Sequence, residues 1–131
     1  MENRDDILKR ADALSYDAIG AAIEVHRQLG PGLLESAYQA CLAFELQSRN
    51  VPFEREVALP LTYRGNTLDC GYRMDFVVGG LLVLEIKAIE AVLPIHEAQL
   101  LTYLRLAKKP IGLILNFHCA TLKDHIYRRI L

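Results

Sequence analysis

Three charged side chains interrupt two apolar segments that Gly79-Gly80 joins. Asp75 lies in the first segment, and Glu85 and Lys87 lie in the second. Because residues two apart in a strand share a face, Glu85 and Lys87 point the same way. A buried carboxylate is costly unless it is paired or holds a metal ion. The pattern therefore indicates either an ion pair at a strand end or a divalent-cation site with an ammonium group beside it.

The glycine pair sets a geometric condition on such a site. A tight two-residue loop pairs Val78 with Leu81 and puts Asp75 and Glu85 on opposite faces of the sheet. The two acids share a face only if the register slips by one residue, through a three-residue loop or a β-bulge. Glycine permits such a slip. A shared metal site therefore predicts an irregular connection here.

Two helices are predicted ahead of these strands. Residues 1–12 are charged and predict only a short, frayed helix. An apolar pattern with 3.6-residue spacing starts at Ser15 and ends at Gly30-Pro31-Gly32, a sequence that suits a helix terminus. The second helix is predicted from Leu33 to Ser48.

Three strands, a helix and two further strands are predicted next. The strands are Phe53 to Tyr63, Thr67 to Val78 and Leu81 to Ala88, followed by the helix Pro94 to Lys109 and the strands Ile111 to Phe117 and Leu122 to Leu131. The order ααβββαββ predicts an α/β fold in the broad sense (α+β), with helices flanking a mixed sheet. A length of 131 residues predicts a single domain, residues 1–131.

Composition gives no overall nucleic-acid signal. The chain is 52% hydrophobic and 24% charged, which is typical of a globular protein, and its net charge is −1. DNA affinity therefore requires a local basic patch. Lys108-Lys109 and Tyr127-Arg128-Arg129 are the modest basic clusters; they are either solvated surface or phosphate contacts.

The cysteines and the apolar runs favour a cytoplasmic protein that does not bind membranes. Cys41, Cys70 and Cys119 lack CxxC spacing, which argues against a disulfide framework, a zinc site or an iron–sulfur cluster. No apolar run approaches the roughly 18 residues that span a bilayer. The first residues, Met-Glu-Asn-Arg-Asp-Asp, are too polar for a signal peptide.

Several motifs together resemble a known family. Asp75 followed by Glu85-Ile86-Lys87 resembles the active-site signature of the PD-(D/E)XK nuclease superfamily. Gly32 to Tyr38 matches Gly-x-x-Glu-x-x-Tyr, the naming motif of the GxxExxY proteins assigned to that superfamily. Similar segments extend the resemblance over Ala18 to Leu131: Ala21 to His26, Arg73-Met74-Asp75 and Leu113-Ile114-Leu115-Asn116-Phe117. The resemblance implies a restriction-endonuclease-like mixed sheet.

The resemblance also implies roles for the charged residues. The metal ion would be held by Asp75, Glu85 and the backbone carbonyl of Ile86. Because the sequence has no Cys or His cluster, this ion is expected to be Mg²⁺ or Mn²⁺ and not zinc. Lys87 would orient the attacking water or stabilise the phosphate. Glu35 would act through a water or bind a second ion; favourable electrostatics at a helix N-terminus is the alternative.

Helix residues complete the candidate site. Gln99 and Tyr103 resemble the Gln-x-x-x-Tyr pair of the RecB-like branch, which positions the DNA strand or the active-site lysine. A surface glutamine with a half-buried tyrosine is the alternative. Tyr38 is assigned a supporting, substrate-positioning role, although a core aromatic with a hydrogen-bonded hydroxyl has the same pattern. His26 and His96 are more typical of satisfied core histidines than of ligands.

The function predicted is a metal-dependent nuclease that hydrolyses DNA. The set of Glu35, Asp75, Glu85 and Lys87 favours an enzyme, because a binding module has no need of closely spaced acids facing a polyanion. RNA or another phosphodiester is an alternative substrate. A catalytically silent nuclease fold that binds nucleic acid or protein is the alternative function. A small, near-neutral chain has few residues to grip DNA, so a homodimer or a partner protein is one way to supply the missing surface.

Overall fold

The first helix, α1, runs without interruption from Arg4 to Leu29 in the computed structural model, which describes residues 2–131. The side chain of Asn3 caps it by accepting the N–H of Asp6 at 2.9 Å. The prediction of a separate short helix over residues 1–12 is therefore wrong, because Arg4 to Asp12 form the first turns of a 26-residue helix; Met1 lies outside the described residues. Small residues, of which Ala11 is fully buried, let the helix lie close to the core.

The second helix, α2, runs from Glu35 to Ser48, close to its predicted bounds. Its buried stripe consists of Tyr38, Leu42 and Leu46, which are spaced by four residues. Leu34 lies within the predicted bounds of this helix but precedes its observed start, and it is 77% exposed.

A five-stranded mixed sheet forms the centre of the fold. Its strands are β1 (Phe53–Ala58), β4 (Arg73–Val78), β5 (Leu82–Lys87), β6 (Ile111–Asn116) and β7 (Ile126–Ile130), in that spatial order. The pair β5–β6 is parallel, and the other neighbours are antiparallel. Helix α3 (Pro94–Ala107) connects the parallel pair, and a 3₁₀ turn (Leu122–His125) precedes β7.

A small hairpin interrupts two of the predicted strands. Strands β2 (Leu61–Tyr63) and β3 (Asn66–Leu68) pair with each other and form a separate two-stranded sheet. Pro60, which lacks an N–H, lies at the break between β1 and β2. The N–H of Leu59 donates to the carbonyl of Tyr72 at 3.0 Å and closes the base of the hairpin. The five strands of the main sheet still follow the predicted order ααβββαββ.

Both faces of the sheet are covered by helices. One core contains residues of α1 and α2 packed on the sheet face that includes Phe76, Leu84 and Ile86. The other core contains Leu100, Tyr103 and Leu104 of α3, packed with Val77, Val83 and Ile114. The fold is therefore the predicted α+β arrangement, consistent with a restriction-endonuclease-like fold. By alternation along β5, Glu85 follows Val83 towards the α3 face.

None of the helices within residues 2–131 has both the length and the apolar character required to cross a lipid bilayer.

Candidate active site

The loop between β4 and β5 contains three residues, as a shared acidic site requires. The antiparallel register pairs Val78 with Leu82, which leaves Gly79-Gly80-Leu81 in the loop. Both glycines have positive φ angles, +58° and +73°, which glycine adopts readily. The same register places Asp75 opposite Glu85. The condition set by the sequence for joint use of the two acids is therefore met.

Asp75 and Glu85 are interlocked through backbone hydrogen bonds. The N–H of Asp75 donates to Oε2 of Glu85 at 2.9 Å, and the N–H of Ile86 donates to Oδ2 of Asp75 at 2.8 Å. Each carboxylate thus binds the backbone of the opposite strand, just beyond the last regular cross-strand pair, Phe76 with Leu84. This exchange brings both carboxylates to the same strand end.

Glu85 is buried and Asp75 is partly buried, so their two charges destabilise each other. Glu85 is only 7% exposed, and burial together with the charge of Asp75 raises its pKa to about 8. Burial also raises the pKa of Asp75, against the opposing effects of the Ile86 N–H and of the Lys87 charge. Two neighbouring carboxyl groups in a poorly solvated site cannot both ionise without a large free-energy cost. A bound cation would relieve this strain.

Lys87 supplies the nearest positive charge. It is half-buried, and no salt bridge within residues 2–131 includes it. Its charge nevertheless lowers the pKa of Asp75, of Glu85 and of Glu35. The ammonium group therefore lies close enough to act on all three acids without a direct ion pair. A simple ion pair at a strand end does not describe this site.

Glu35 lies near the pair but does not join it. It is in the first turn of α2, and burial raises its pKa, with a further increase from Asp75. Gln39 donates to its Oε1 at 3.4 Å. In the part of the chain that the structure describes, no three Asp, Glu, His or Cys side chains form a ready-made metal cluster. Two acids, not three, are therefore preassembled.

The backbone of β5 offers a third oxygen. The carbonyl of Lys87 accepts the N–H of Phe117 at 2.8 Å, on the side of β6. Successive carbonyls of a strand point to alternate sides, and the N–H of Ile86 already faces Asp75. The carbonyl of Ile86 consequently points to the side of Asp75. Two carboxylates and a carbonyl form a hard-oxygen donor set that fits Mg²⁺ or Mn²⁺.

Gln99 and Tyr103 form a hydrogen-bonded pair on α3. The Gln99 amide donates to the Tyr103 hydroxyl at 3.0 Å, and Tyr103 is 7% exposed. Burial raises the pKa of Tyr103, and the charges of Glu85 and Asp75 raise it further. Tyr103 packs with Met74 and Val83, so it lies on the sheet face towards which Glu85 points.

Tyr38 does not fit the substrate-positioning role predicted for it. It is fully buried and stacks on Phe117, with ring centroids 4.6 Å apart. Its hydroxyl donates to the carbonyl of Gly30 at 2.6 Å and accepts the N–H of Leu33 at 3.2 Å. Because both hydroxyl partners belong to the turn before α2, Tyr38 braces the segment that delivers Glu35.

The two histidines have structural partners, as expected. Nε2 of His26 lies 2.8 Å from the carbonyl oxygen of Cys119 in the core. Nδ1 of His96 accepts the N–H of Leu93 at 2.9 Å and caps α3.

The two basic clusters are placed differently: the arginines of β7 are ion-paired, and Lys109 lies at the end of the sheet opposite the acids. Arg128 pairs with Asp12, and Arg129 pairs with Glu97. Lys109 donates to the carbonyl of Gly80 at 2.9 Å, at the loop end of the β4–β5 hairpin and not at the end that carries the acids. The position of Lys109 does not support phosphate contact next to the acids; phosphate contact by either cluster elsewhere on bound DNA stays a prediction.

Two residues at the site were missed in the sequence. Asn116 is 1% exposed and clamps the segment after β5, since its side chain accepts the N–H of Ile89 at 3.1 Å and donates to the Ile89 carbonyl at 2.9 Å. A lone asparagine at the end of an apolar strand was the available signal.

Glu56 of β1 falls opposite Asp75 in the register, has a φ of +52° and raises the pKa of Asp75. Nothing in the sequence marked it.

Comparison with known protein families agrees with this geometry. A family model described as the PD-(D/E)XK nuclease superfamily matches residues 12–130. The chain belongs to this superfamily. No curated protein and no solved structure matches the chain significantly. Membership of the PD-(D/E)XK superfamily supports a nuclease-type, hydrolytic function; the assignment to the GxxExxY proteins within it stays a prediction.

Proposed function

We propose that this PD-(D/E)XK protein is a metal-dependent nuclease that hydrolyses DNA phosphodiester bonds with Asp75, Glu85 and Lys87. The observation that supports this most directly is the one-residue shift in the β4–β5 register. It interlocks Asp75 with Glu85 in a buried site that is unfavourable for two unneutralised carboxylates. An arrangement of this kind is stabilised when a cation binds.

Asp75, Glu85 and the carbonyl of Ile86 would hold Mg²⁺ or Mn²⁺. When bound, the ion would polarise the phosphate and lower the pKa of a water molecule. Lys87 is free to orient that water or to donate hydrogen bonds to a phosphate oxygen as negative charge develops on it. Glu35, half-buried beside the pair, would accept a hydrogen bond from a water in the site or contribute to a second ion.

Gln99 and Tyr103 would position the substrate. Their mutual hydrogen bond restrains the phenol on the sheet face towards which Glu85 points. From there, Tyr103 can restrain either the strand to be cut or the ammonium of Lys87.

The test is a cleavage assay on single-stranded and double-stranded DNA with Mg²⁺ or Mn²⁺. Asp75→Asn and Lys87→Met should each lower kcat/KM by about 100-fold or more, because each removes a charge at the reacting phosphate. The matched controls are Asp17→Asn and Lys9→Met, which make the same changes at exposed positions on α1. Activity that is equal in the wild type and in both site variants would point to a contaminating nuclease and refute the proposal.

A second candidate function is a catalytically silent module that binds nucleic acid or protein. The observation in its favour is that Glu35 does not complete a three-acid cluster in the described residues. Such a module would bind DNA without cleaving it under any metal condition, and Asp75→Asn would strengthen binding by removing a negative charge. The same assay, followed by a binding measurement, separates the two functions.

A further inference from the structure

A groove opens between the β2–β3 hairpin and α3, on the sheet face towards which Glu85 points. Its volume is about 380 Å³. The residues that matter for its chemistry are Leu59, Leu61 and Tyr72 on the hairpin side and Gln99, Thr102 and Tyr103 on α3. Tyr103 forms part of the groove wall and packs in the same core cluster as Met74 and Val83. Met74 precedes Asp75 in β4, and Val83 shares a strand face with Glu85 in β5, so the groove lies on the same side of the sheet as the acids.

The groove combines aromatic faces with a polar edge. The rings of Tyr72 and Tyr103 meet edge to face, with centroids 6.1 Å apart and an interplanar angle of 66°. Tyr72 is 42% exposed, which leaves much of its surface available. The Gln99 amide uses one N–H on Tyr103 and retains a second N–H and its carbonyl oxygen for a ligand.

We propose that this groove holds one unpaired nucleobase of the DNA strand whose phosphate lies at Asp75 and Glu85. The inference rests on the proposed nuclease function. A nucleobase is flat and apolar on its faces and carries donors and acceptors on its edge, which matches tyrosines beside a primary amide. A volume near the lower end of ligand pockets suits one base and not a base pair.

The groove accordingly selects DNA in which a base can leave the stack. A base in a duplex is covered on both faces and must be extruded, at a cost of a few kcal/mol, before it can enter a side pocket. Single strands and frayed ends avoid this cost. The protein should therefore bind and cut single-stranded DNA in preference to a fully paired duplex of the same sequence.

Tyr72 is the residue to change, because it is partly exposed and its backbone carbonyl, which closes the hairpin, is unaffected by side-chain substitution. Binding of a fluorescein-labelled 12-nucleotide single strand is measured by anisotropy in EDTA, with all variants in the Asp75→Asn background to prevent cleavage. Tyr72→Ala should weaken binding roughly 5- to 150-fold, the range of base–aromatic stacking. Tyr72→Phe, which keeps the ring, should stay within about threefold of the parent protein.

The matched control is Tyr63→Ala, which removes an exposed tyrosine of the β2–β3 hairpin that does not line the groove. It should change affinity less than twofold. A series of strands, each with one abasic position, then locates the bound base. At that position, loss of the base and Tyr72→Ala should have non-additive effects, since both remove the same contact.

The outcomes separate this inference from the proposed function. If the wild type cleaves DNA with Mg²⁺ but Tyr72→Ala binds single strands as well as its parent, the groove proposal is overturned and the nuclease stands. If no DNA is cleaved but the abasic series and Tyr72→Ala behave as expected, the nuclease fails and the groove stands. Equal affinity of the parent for paired and unpaired DNA also overturns the groove proposal.

Discussion

Glu85 shows why the acid pair responds to its surroundings more than exposed acids do. In the folded, metal-free protein its pKa is raised to about 8 by burial first and by Asp75 second, from an ordinary value of 4.5. Near neutral pH it therefore keeps its proton. Metal binding must displace that proton, which links cation affinity to pH at a single residue.

The first prediction concerns stability against pH. Below pH 4.5, Glu85 is protonated in both the folded and the unfolded chain. As the pH rises towards 8, the unfolded chain loses the proton while the folded chain keeps it, so the free energy of unfolding falls over this window and levels off above it. Glu85→Gln, which cannot ionise, should remove this decline and raise Tm at pH 9. A gain of 1 kcal/mol corresponds to roughly 2–8 °C.

Thermal melts in EDTA at pH 5 and pH 9 measure this effect. The two proteins should differ little at pH 5 and clearly at pH 9. The matched control is Glu54→Gln, an exposed acid on β1. A Glu85→Gln protein that is less stable than the wild type at pH 9 would contradict the assignment of a raised pKa.

The second prediction concerns the cation. Mn²⁺ or Mg²⁺ that binds only the folded state should raise Tm in proportion to the logarithm of its concentration. We expect this increase for the wild type and for Asp17→Asn, and we expect Asp75→Asn to lose most of it. Differential scanning calorimetry over a metal titration measures the shift. An undiminished shift in Asp75→Asn would place the ion elsewhere.

At the scale of elements, the β4–β5 loop determines whether the acids meet. The sequence identified the two strands, the glycine turn and the register on which a shared site depends. It could not choose between a two-residue and a three-residue loop, because both fit Gly79-Gly80. The choice follows from tertiary packing: a Cβ at Gly79 would come within 2.6 Å of the Leu14 side chain, so α1 packs directly against the loop.

The third prediction compares the two glycines of that loop. Both have positive φ angles, so alanine costs about 1–2 kcal/mol of strain at either position. Gly80 has open space around it, whereas Gly79 abuts Leu14. Gly79→Ala should therefore destabilise the protein by about 1–3 kcal/mol more than Gly80→Ala, as measured by urea unfolding. Leu14→Ala should reduce this difference; equal effects at both glycines would refute the packing argument.

The fourth prediction concerns the segment after β5. Asn116→Leu keeps the side-chain size but leaves the N–H and the carbonyl of Ile89 without their partner, which should cost about 1–3 kcal/mol. Amide hydrogen exchange at Ile89 should accelerate relative to the wild type. Asn66→Leu, at the exposed first residue of β3, is the control and should leave that amide unchanged. Unchanged exchange at Ile89 in Asn116→Leu would show that the clamp is dispensable.

At the scale of the whole molecule, the two ends of the sheet differ in character. The acids lie at one end of the β4–β5 pair. At the other end, a groove of about 450 Å³ lies against the β4–β5 loop, of which Leu81 lines it. Four basic residues also line this groove: Arg4, Arg105, Lys108 and Lys109. With a net charge of −1 there is no general attraction for DNA, so the placement of individual charges decides where a phosphate backbone can run.

The fifth prediction follows from this separation. Lys108→Ala and Lys109→Ala should each leave kcat/KM for DNA cleavage within about twofold of the wild type, because neither ammonium lies at the acid end. Lys87→Ala should lower it by about 100-fold or more. Steady-state assays at two salt concentrations provide the comparison. A large loss in Lys108→Ala would mean that bound DNA reaches across the sheet.

The sequence predicted the helix and strand types, the order in the main sheet and the acids that come together. Arg64-Gly65-Asn66 marks the hairpin turn in the sequence, and the structure confirms it. The sequence did not predict that β2 and β3 separate from the main sheet, because apolar alternation continues past Pro60 and conceals the break. The sequence also predicted a separate, frayed helix before Ser15, because the charged residues there show no apolar stripe until their packing is known. Tyr38 was misassigned for a related reason: its spacing from Glu35 is the same whether its hydroxyl faces a substrate or the Gly30 turn.

The interlocked carboxylates divide their oxygens between two tasks. Oε2 of Glu85 and Oδ2 of Asp75 act as substitutes for missing strand-to-strand bonds. The second oxygen of each carboxylate, Oε1 of Glu85 and Oδ1 of Asp75, accepts no hydrogen bond within residues 2–131 and stays available to a ligand. Replacing either acid by its amide can keep the oxygen that accepts the backbone N–H while removing the negative charge. The hydrogen bonds that join the two strands and the negative charge that binds a cation can thus be changed independently.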